Sequence, residues 1–217
     1  MDLKCDINEV MRYLGYRGGE VTKGILDIIK SAADEAKRAA MPGYCVSEFE
    51  IEKNDGIIRI KNSNIVLPGE SIQKHLKGCG RILIFAATIG APIEKVIGIY
   101  EVKDMTKAVI LDCCASALIE EYCNSVCAEL EKKYNEKGLF LTSRFSPGYG
   151  DLPMALQSEL LNASNAARII GLSCNEKYLM TPRKSVTAII GISEKEVCKK
   201  EGCSGCSMEK TCPNRRK

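Results

Sequence analysis

Apolar positions recur at helical spacing in several segments of the chain. Residues Ile7 to Leu14 and Thr22 to Ala40 predict two amino-terminal helices, separated by a stretch rich in glycine. The longest periodic segment, Asp104 to Tyr134, contains neither Gly nor Pro and predicts one long, partly buried helix. Shorter helices are expected at Ser71 to Lys77, capped by Ser71, and between Ala155 and Ile170.

Strand patterns lie between these helices. Tyr44 to Lys53 alternates apolar and polar residues, a turn follows, and Ile57 to Ile60 returns, which is typical of a hairpin. Arg81 to Thr88 is almost continuously apolar and predicts a buried strand. Two further strands are expected at Leu139 to Thr142 and Ser185 to Ile192. The fold class is therefore α+β, with a mainly antiparallel sheet packed by the long helix and a helical amino-terminal region.

The composition changes after Ser193, where charged residues and cysteine replace the large apolar side chains. This change predicts a domain at residues 1–193 and a short Cys-rich tail at 194–217. The net charge of +3 gives no electrostatic footprint for nucleic acid. The amino terminus lacks a signal pattern, and the longest apolar run, Ile82 to Ile93, is too short to cross a bilayer. A cytoplasmic protein without a membrane partner is expected.

The stretch at residues 144–149, Arg-Phe-Ser-Pro-Gly-Tyr, carries the most chemical information. The guanidinium of Arg144 suits bidentate binding of a carboxylate. Pro147 and Gly148 suit the two central positions of a type II turn, and Gly148 also allows a ligand to approach the backbone. Tyr149 has a ring that packs on a flat heterocycle. Taken alone, these residues favour a surface turn with an ion-paired arginine.

This stretch resembles the Arg-x-x-x-Gly-Tyr motif with which the activation domain of cobalamin-dependent methionine synthase holds S-adenosylmethionine. Two other segments resemble that family in the same order, residues 85–90 (Phe-Ala-Ala-Thr-Ile-Gly) and 180–186 (Met-x-Pro-x-x-Ser-Val), and the likeness covers most of residues 80–192. The amino-terminal region is similar to smaller free-standing members through residues 13–18 (Tyr-Leu-Gly-Tyr-Arg-Gly). The chain departs from the family at Ala117, where an acidic ligand contact is expected, and at Ile189 and Ile190, where an aromatic contact is expected.

The resemblance implies an accessory protein for reductive reactivation of a corrinoid-dependent methyltransferase. Arg144, Pro147, Gly148 and Tyr149 would hold S-adenosylmethionine, while the cobalamin would sit on the partner, a methionine synthase lacking its own activation domain. An electron donor would re-reduce cob(II)alamin, and methyl transfer would trap the reduced cobalt. No catalytic acid or base is assigned to this chain, whose contribution would be orientation.

Four cysteines of the tail lie within fifteen residues and predict a metal site, with the spacing Cys198-x4-Cys203-x2-Cys206-x5-Cys212. The first three spacings match the start of plant-type iron-sulfur ligation, and zinc accepts the same four sulfurs. An electron-transfer role favours an iron-sulfur cluster, since zinc has no redox chemistry. A tail with reactive thiols and no metal is the remaining interpretation.

Two other functions stay open. One is a module that docks on a corrinoid protein without binding S-adenosylmethionine, which the departures at Ala117 and Ile190 favour. The other is a small iron-sulfur electron carrier in one-carbon metabolism. His75, the only histidine, is expected at the surface, and Cys123 and Cys127 are expected to be small buried hydrophobes.

Overall fold

The computed structural model describes residues 3–16, 18, 22–54 and 56–197. These residues form seven helices and eight strands. The helices are α1 (Ile7–Tyr13), α2 (Lys23–Ala39), α3 (Glu70–His75), α4 (Pro92–Lys103), α5 (Met105–Asn135), α6 (Leu156–Ala163) and α7 (Ala166–Ile170). The strands are β1 (Gly43–Asn54), β2 (Ile57–Ile60), β3 (Val66–Leu67), β4 (Cys79–Thr88), β5 (Phe140–Leu141), β6 (Ser173–Cys174), β7 (Met180–Thr181) and β8 (Ser185–Ser193).

Six strands form one sheet in the order β3-β2-β1-β4-β8-β5, and every pairing in it is antiparallel. The predicted hairpin is β1 and β2, with Asn54 paired to Ile57. The expected α+β class, antiparallel sheet and helical amino-terminal region are confirmed. A separate two-stranded hairpin, β6 and β7, was not predicted, because two-residue strands leave no alternating pattern.

The sheet is covered on both faces, which explains why β4 is apolar without alternation. Leu83 and Phe85 face a core cluster formed with α2, α4 and α5. Ile82 and Ile84 face a second cluster that includes residues of α3 and α6. Successive side chains of a strand point to opposite faces, so a strand buried on both sides is apolar at every position.

The long helix begins one residue later than predicted. The carboxylate of Asp104 accepts a hydrogen bond from the Lys107 backbone N–H at 3.1 Å and caps α5. The preceding helix α4 was not predicted, because Pro92 and Gly98 obscured its period and only Asp104 separates it from α5. Within the described part of the chain, no helix has both the length and the apolar character that a bilayer crossing requires.

The predicted cap of α3 was wrong. The helix begins at Glu70, so Ser71 lies inside its first turn, and the preceding Gly69 has no side chain to cap it. The carboxylate of Asp151 accepts instead, from the backbone N–H groups of Glu70 at 2.6 Å and Ser71 at 3.0 Å. A partner 80 residues away along the chain leaves no local sequence signal.

Candidate functional site

Arg144 follows β5 and directs its side chain to the long helix. Its Nη2 lies 3.0 Å from Oε2 of Glu120 and 3.0 Å from Oδ1 of Asn124, one turn apart on α5. The Arg144 side chain is only 20% exposed, so the ion pair is partly buried. Both contacts use one terminal nitrogen of a guanidinium that carries five N–H groups. The predicted ion-paired arginine is therefore present, held in a fixed direction.

Pro147 and Gly148 occupy the centre of a tight turn. The backbone N–H of Tyr149 donates to the carbonyl of Ser146 at 3.1 Å, and Gly148 has φ +85°, as a type II turn requires. A Cβ at position 148 would lie 2.7 Å from Cε of Met154, so the methionine packs directly against the glycine. The type II turn therefore accounts for proline at position 147 and glycine at position 148.

Tyr149 projects from this turn, and the residue is 58% exposed. Its ring makes an edge-to-face contact with Phe145 at a centroid distance of 6.1 Å. Phe145 is in turn joined to β8 by two backbone hydrogen bonds with Ile189, of 2.9 and 2.8 Å. We call residues 143–153 the candidate loop; it presents a half-buried cation and an accessible aromatic ring.

A second cation meets α5 two turns nearer its amino terminus. Nζ of Lys184 lies 2.8 Å from Oδ1 of Asp112 and 2.9 Å from Oγ of Ser116, and the Lys184 side chain is only 14% exposed. Asp112, Ser116, Glu120 and Asn124 recur every four residues and form one line along the helix, which we call the α5 stripe. The line is about 18 Å long at 1.5 Å per residue.

In the middle of α5, the α5 stripe is the open side of a closely packed segment. Every residue from 113 to 119 except Ser116 is buried. Ala117 is 3% exposed and part of the core, so it cannot contact a ligand. Glu120, three positions further, is the acid that faces the loop. It was not matched to the expected acidic contact in the sequence, because spacing alone did not show which residue of the helix faces Arg144.

The amino-terminal helix α1 packs against α5. Burial and the nearby charge of Glu120 raise the pKa of Tyr13. Two of the segments singled out in the sequence, residues 144–149 and 180–186, contact the α5 stripe directly, through Arg144 and Lys184. Arg17 falls outside the described residues.

Cys123 lies beside the Arg144 guanidinium, but its thiol is unreactive. Burial raises the pKa of this thiol to about 12, so it is protonated at neutral pH and no nucleophile. Cys123 is buried and Cys127 half-buried, as small hydrophobes would be. The eight described cysteines are all free thiols.

The predicted metal ligands Cys198, Cys203, Cys206 and Cys212 lie outside the described residues. Among the described residues of 3–16, 18, 22–54 and 56–197, no group of three or more His, Cys, Asp or Glu side chains is placed to hold a metal ion. The metal site of the tail thus remains a prediction from spacing.

The expectation that His75 is a surface residue was wrong. The side chain is half-buried and its Nε2 lies 2.9 Å from Oγ1 of Thr142. Its ring packs against Phe145 at a centroid distance of 4.9 Å. Burial lowers the pKa of His75 below its ordinary value. His75 therefore supports the start of the candidate loop.

A cavity of about 510 Å³ lies elsewhere, between the start of β4 and the end of β8. It shares no lining residue with the candidate loop. Two cations at its wall are already engaged: Lys53 donates to the Leu76 and Cys79 carbonyls, and Arg81 pairs with Glu48. The cavity is therefore a poorer candidate for a ligand site than the loop.

The sequence matches no family model and no curated protein. Among solved structures, the fold is similar to the crystal structure of the MetH reactivation domain bound to AdoHcy, with a TM-score of 0.64. The two sequences are 15% identical, and the match covers 88% of this chain and 78% of that one. This likeness establishes a shared fold and confirms, at the level of fold, the resemblance seen in the motifs.

Proposed function

We propose that this protein binds S-adenosylmethionine at the candidate loop and assists the reductive reactivation of a corrinoid-dependent methyltransferase. The observation that carries the proposal is the meeting of two separate segments, through Arg144 and Lys184, on the α5 stripe, within a fold shared with a domain crystallised with AdoHcy. AdoHcy is what remains of S-adenosylmethionine after its methyl group has left. The two molecules share their adenosyl and amino-acid groups, so one site can bind both.

The contacts of Arg144 suit the binding of an amino-acid carboxylate. Glu120 and Asn124 hold the guanidinium through Nη2, which orients its planar fork before a ligand arrives. A fork held in place loses less conformational freedom on binding than an unrestrained arginine. We assign to Arg144 the ligand carboxylate and to Glu120 the acidic contact that the family places on this helix.

The exposed ring of Tyr149 suits the ligand's heterocycle. The residue is 58% exposed, and the contact with Phe145 limits the movement of its ring. Pro147 and Gly148 form the tight turn next to the Tyr149 ring. The chemistry would take place on the partner's corrinoid, which would accept one electron from a donor and then take the methyl group of S-adenosylmethionine, leaving AdoHcy. This chain's residues bind and orient the methyl donor.

The tail completes the proposal. Cys198, Cys203, Cys206 and Cys212 would hold an iron-sulfur cluster that passes an electron towards the corrinoid, with zinc as the alternative occupant. The partner would be a methionine synthase without its own activation domain. An external electron donor would reload the cluster.

Calorimetric titration with AdoHcy tests the binding site. Replacing Arg144→Ala should weaken AdoHcy binding by roughly 10- to 100-fold, the loss that removal of a charged hydrogen-bond donor produces. Arg59→Ala is the matched control, because Arg59 is an exposed arginine on β2, away from the loop. Equal affinities for the two variants would contradict the proposed role of Arg144.

A docking module that lacks a ligand of its own is the second candidate. The burial of Ala117 and Ile190 favours it, since the two family contacts expected there are absent. In that case AdoHcy would produce no heat, while a corrinoid-loaded methyltransferase would still bind.

Two variants distinguish the electron-carrier alternative from the proposed function. It requires that Cys203→Ala abolish electron transfer to a one-carbon partner while Arg144→Ala leaves it intact. If both variants impair reactivation, the carrier alternative is excluded.

A further inference from the structure

The short helix α3 lies under the candidate loop and contacts it at both ends. The first turn of α3 meets Asp151, near the end of the loop, and its last residue meets Thr142, just before the loop begins. Residues 70–75 thus bracket the segment that carries Arg144 and Tyr149.

The contact at the amino-terminal end of α3 is made by a carboxylate. Asp151 accepts from two backbone N–H groups, those of Glu70 and Ser71, which have no partner within the helix. A negative group is also favourable at this end of a helix. These bonds lower the pKa of Asp151, the Ser71 bond most, so the carboxylate is charged at neutral pH.

The two surfaces fit too closely to admit larger residues. A Cβ on Gly69 would lie 2.5 Å from Oδ1 of Asp151, and a Cβ on Gly150 would lie 2.5 Å from Oγ of Ser71. Such distances do not occur between non-bonded atoms at rest. Helix and loop are therefore in direct contact, with a glycine on each side.

The contact at the other end runs through side chains. His75 bonds to Oγ1 of Thr142, which also accepts the backbone N–H of Gly191 at 2.7 Å. The His75 ring packs against Phe145, and Phe145 packs against Tyr149. A continuous line of contacts thus leads from α3 to the exposed tyrosine.

The helix itself is fixed to the sheet. Nζ of Lys53 on β1 donates to the carbonyls of Leu76 and Cys79, at 2.6 and 2.7 Å, just after α3. Ile72 and Leu76 are fully buried in the same cluster as Leu152 from the loop. Movement of the loop relative to α3 would therefore break buried contacts.

We infer that Asp151 and His75 are positioning residues, which hold the candidate loop in its binding conformation through α3. The inference rests on the proposed function, because it concerns the ligand of that same loop. A preformed loop pays less ordering entropy when it binds, so loosening the loop weakens binding without removing any ligand contact.

Two readouts on the full chain test this inference: hydrogen exchange of peptides within 143–153, and AdoHcy affinity by calorimetry. Asp151→Ala should speed exchange in the loop and weaken AdoHcy binding, each by about fivefold, the change expected for one lost helix cap. Asp151→Asn keeps one acceptor oxygen and should restore part of both. His75→Phe keeps a ring against Phe145 but loses the Thr142 bond, and should show a smaller effect in the same direction.

Glu70→Ala is the matched control. Glu70 is an acid in the first turn of the same helix, but its side chain is 80% exposed and pairs with Lys74. This variant should match the wild type in both readouts. Faster loop exchange with unchanged AdoHcy affinity would overturn the positioning role, and so would unchanged exchange.

Failure of the proposed function is distinguishable from failure of this inference. If the wild type does not bind AdoHcy, the proposed function fails, and loop exchange alone decides whether Asp151 and His75 hold the loop. Fast exchange in Asp151→Ala and His75→Phe, but not in Glu70→Ala, would then still support the contact between helix and loop.

Discussion

Arg144 shows how far single residues could be interpreted from the sequence. Its residue type and neighbours predicted a carboxylate site or an ion pair, and the structure places it in an ion pair with Glu120. The identity of that partner was beyond prediction, because the two residues are 24 positions apart and several acids lie on the same helix. Side-chain chemistry is local information, whereas pairing depends on the packed fold.

The only histidine gives a prediction on pH. Burial lowers the pKa of His75 in the folded state below the ordinary 6.5, so the unfolded chain takes up a proton first as the pH falls. The stabilisation from neutral His75 is therefore complete above pH 6.5 and is lost as the pH drops below it. The free energy of unfolding, measured by urea denaturation at pH 8, 6.5 and 5, should decrease as the pH is lowered.

The variant His75→Gln is the control for that series. It has no group titrating near pH 6, so the part of the decline between pH 6.5 and 5 that belongs to the imidazole should disappear. An identical decline in the variant and the wild type would assign the effect to carboxylates instead.

At the scale of elements, strong local patterns predicted well and distant partners did not. The strand β4 and the helix α5 were predicted within two residues, because their apolar runs reflect burial on both faces and along most of the helix. The helix α4 was missed because Gly98 weakened its apolar pattern. The cap of α3 was missed because the capping residue, Asp151, lies far from α3 along the chain. The loop and the short helix α3 beneath it were both predicted, but the contact between them was not.

The turn in the loop gives a second prediction. Gly148→Ala should lower the free energy of unfolding by about 1 kcal/mol or more, because φ is positive and the new methyl group would meet Met154. Chemical denaturation measures the change. Met154→Ala in the same background should recover the steric part and leave the conformational part.

Gly138→Ala isolates the conformational cost. Gly138 has φ +70°, and a Cβ there would have no atom within 4 Å. If Gly148→Ala were no more destabilising than this variant, the contact with Met154 would carry no energetic weight.

At the scale of the whole molecule, the fold is shared with a protein whose sequence is 15% identical. Two core clusters on the two faces of one sheet preserve this architecture through apolar pattern, which many sequences satisfy. Fold class was therefore predictable from pattern, while ligand contacts are set by a few polar residues that are free to differ.

The tail gives a prediction for the chain of residues 1–217. Purified without air, it should contain stoichiometric iron and sulfide and a brown chromophore that bleaches on reduction, and Cys203→Ala should lose them. Cys174→Ala is the matched control, because Cys174 is an isolated cysteine on β6. Zinc without iron would contradict the electron-transfer role and leave the tail a closed structural site.

The ion pairs along α5 have a consequence for how fast a partner associates. Arg144 faces Glu120 and Lys184 faces Asp112, so the two cations that contact the α5 stripe are each matched by an acid at short range. Matched charges produce little field beyond a few ångströms, and long-range steering is what makes encounter rates depend on ionic strength. Association at this face should therefore proceed at an unsteered rate, nearly independent of added salt, with selection occurring only after the surfaces touch.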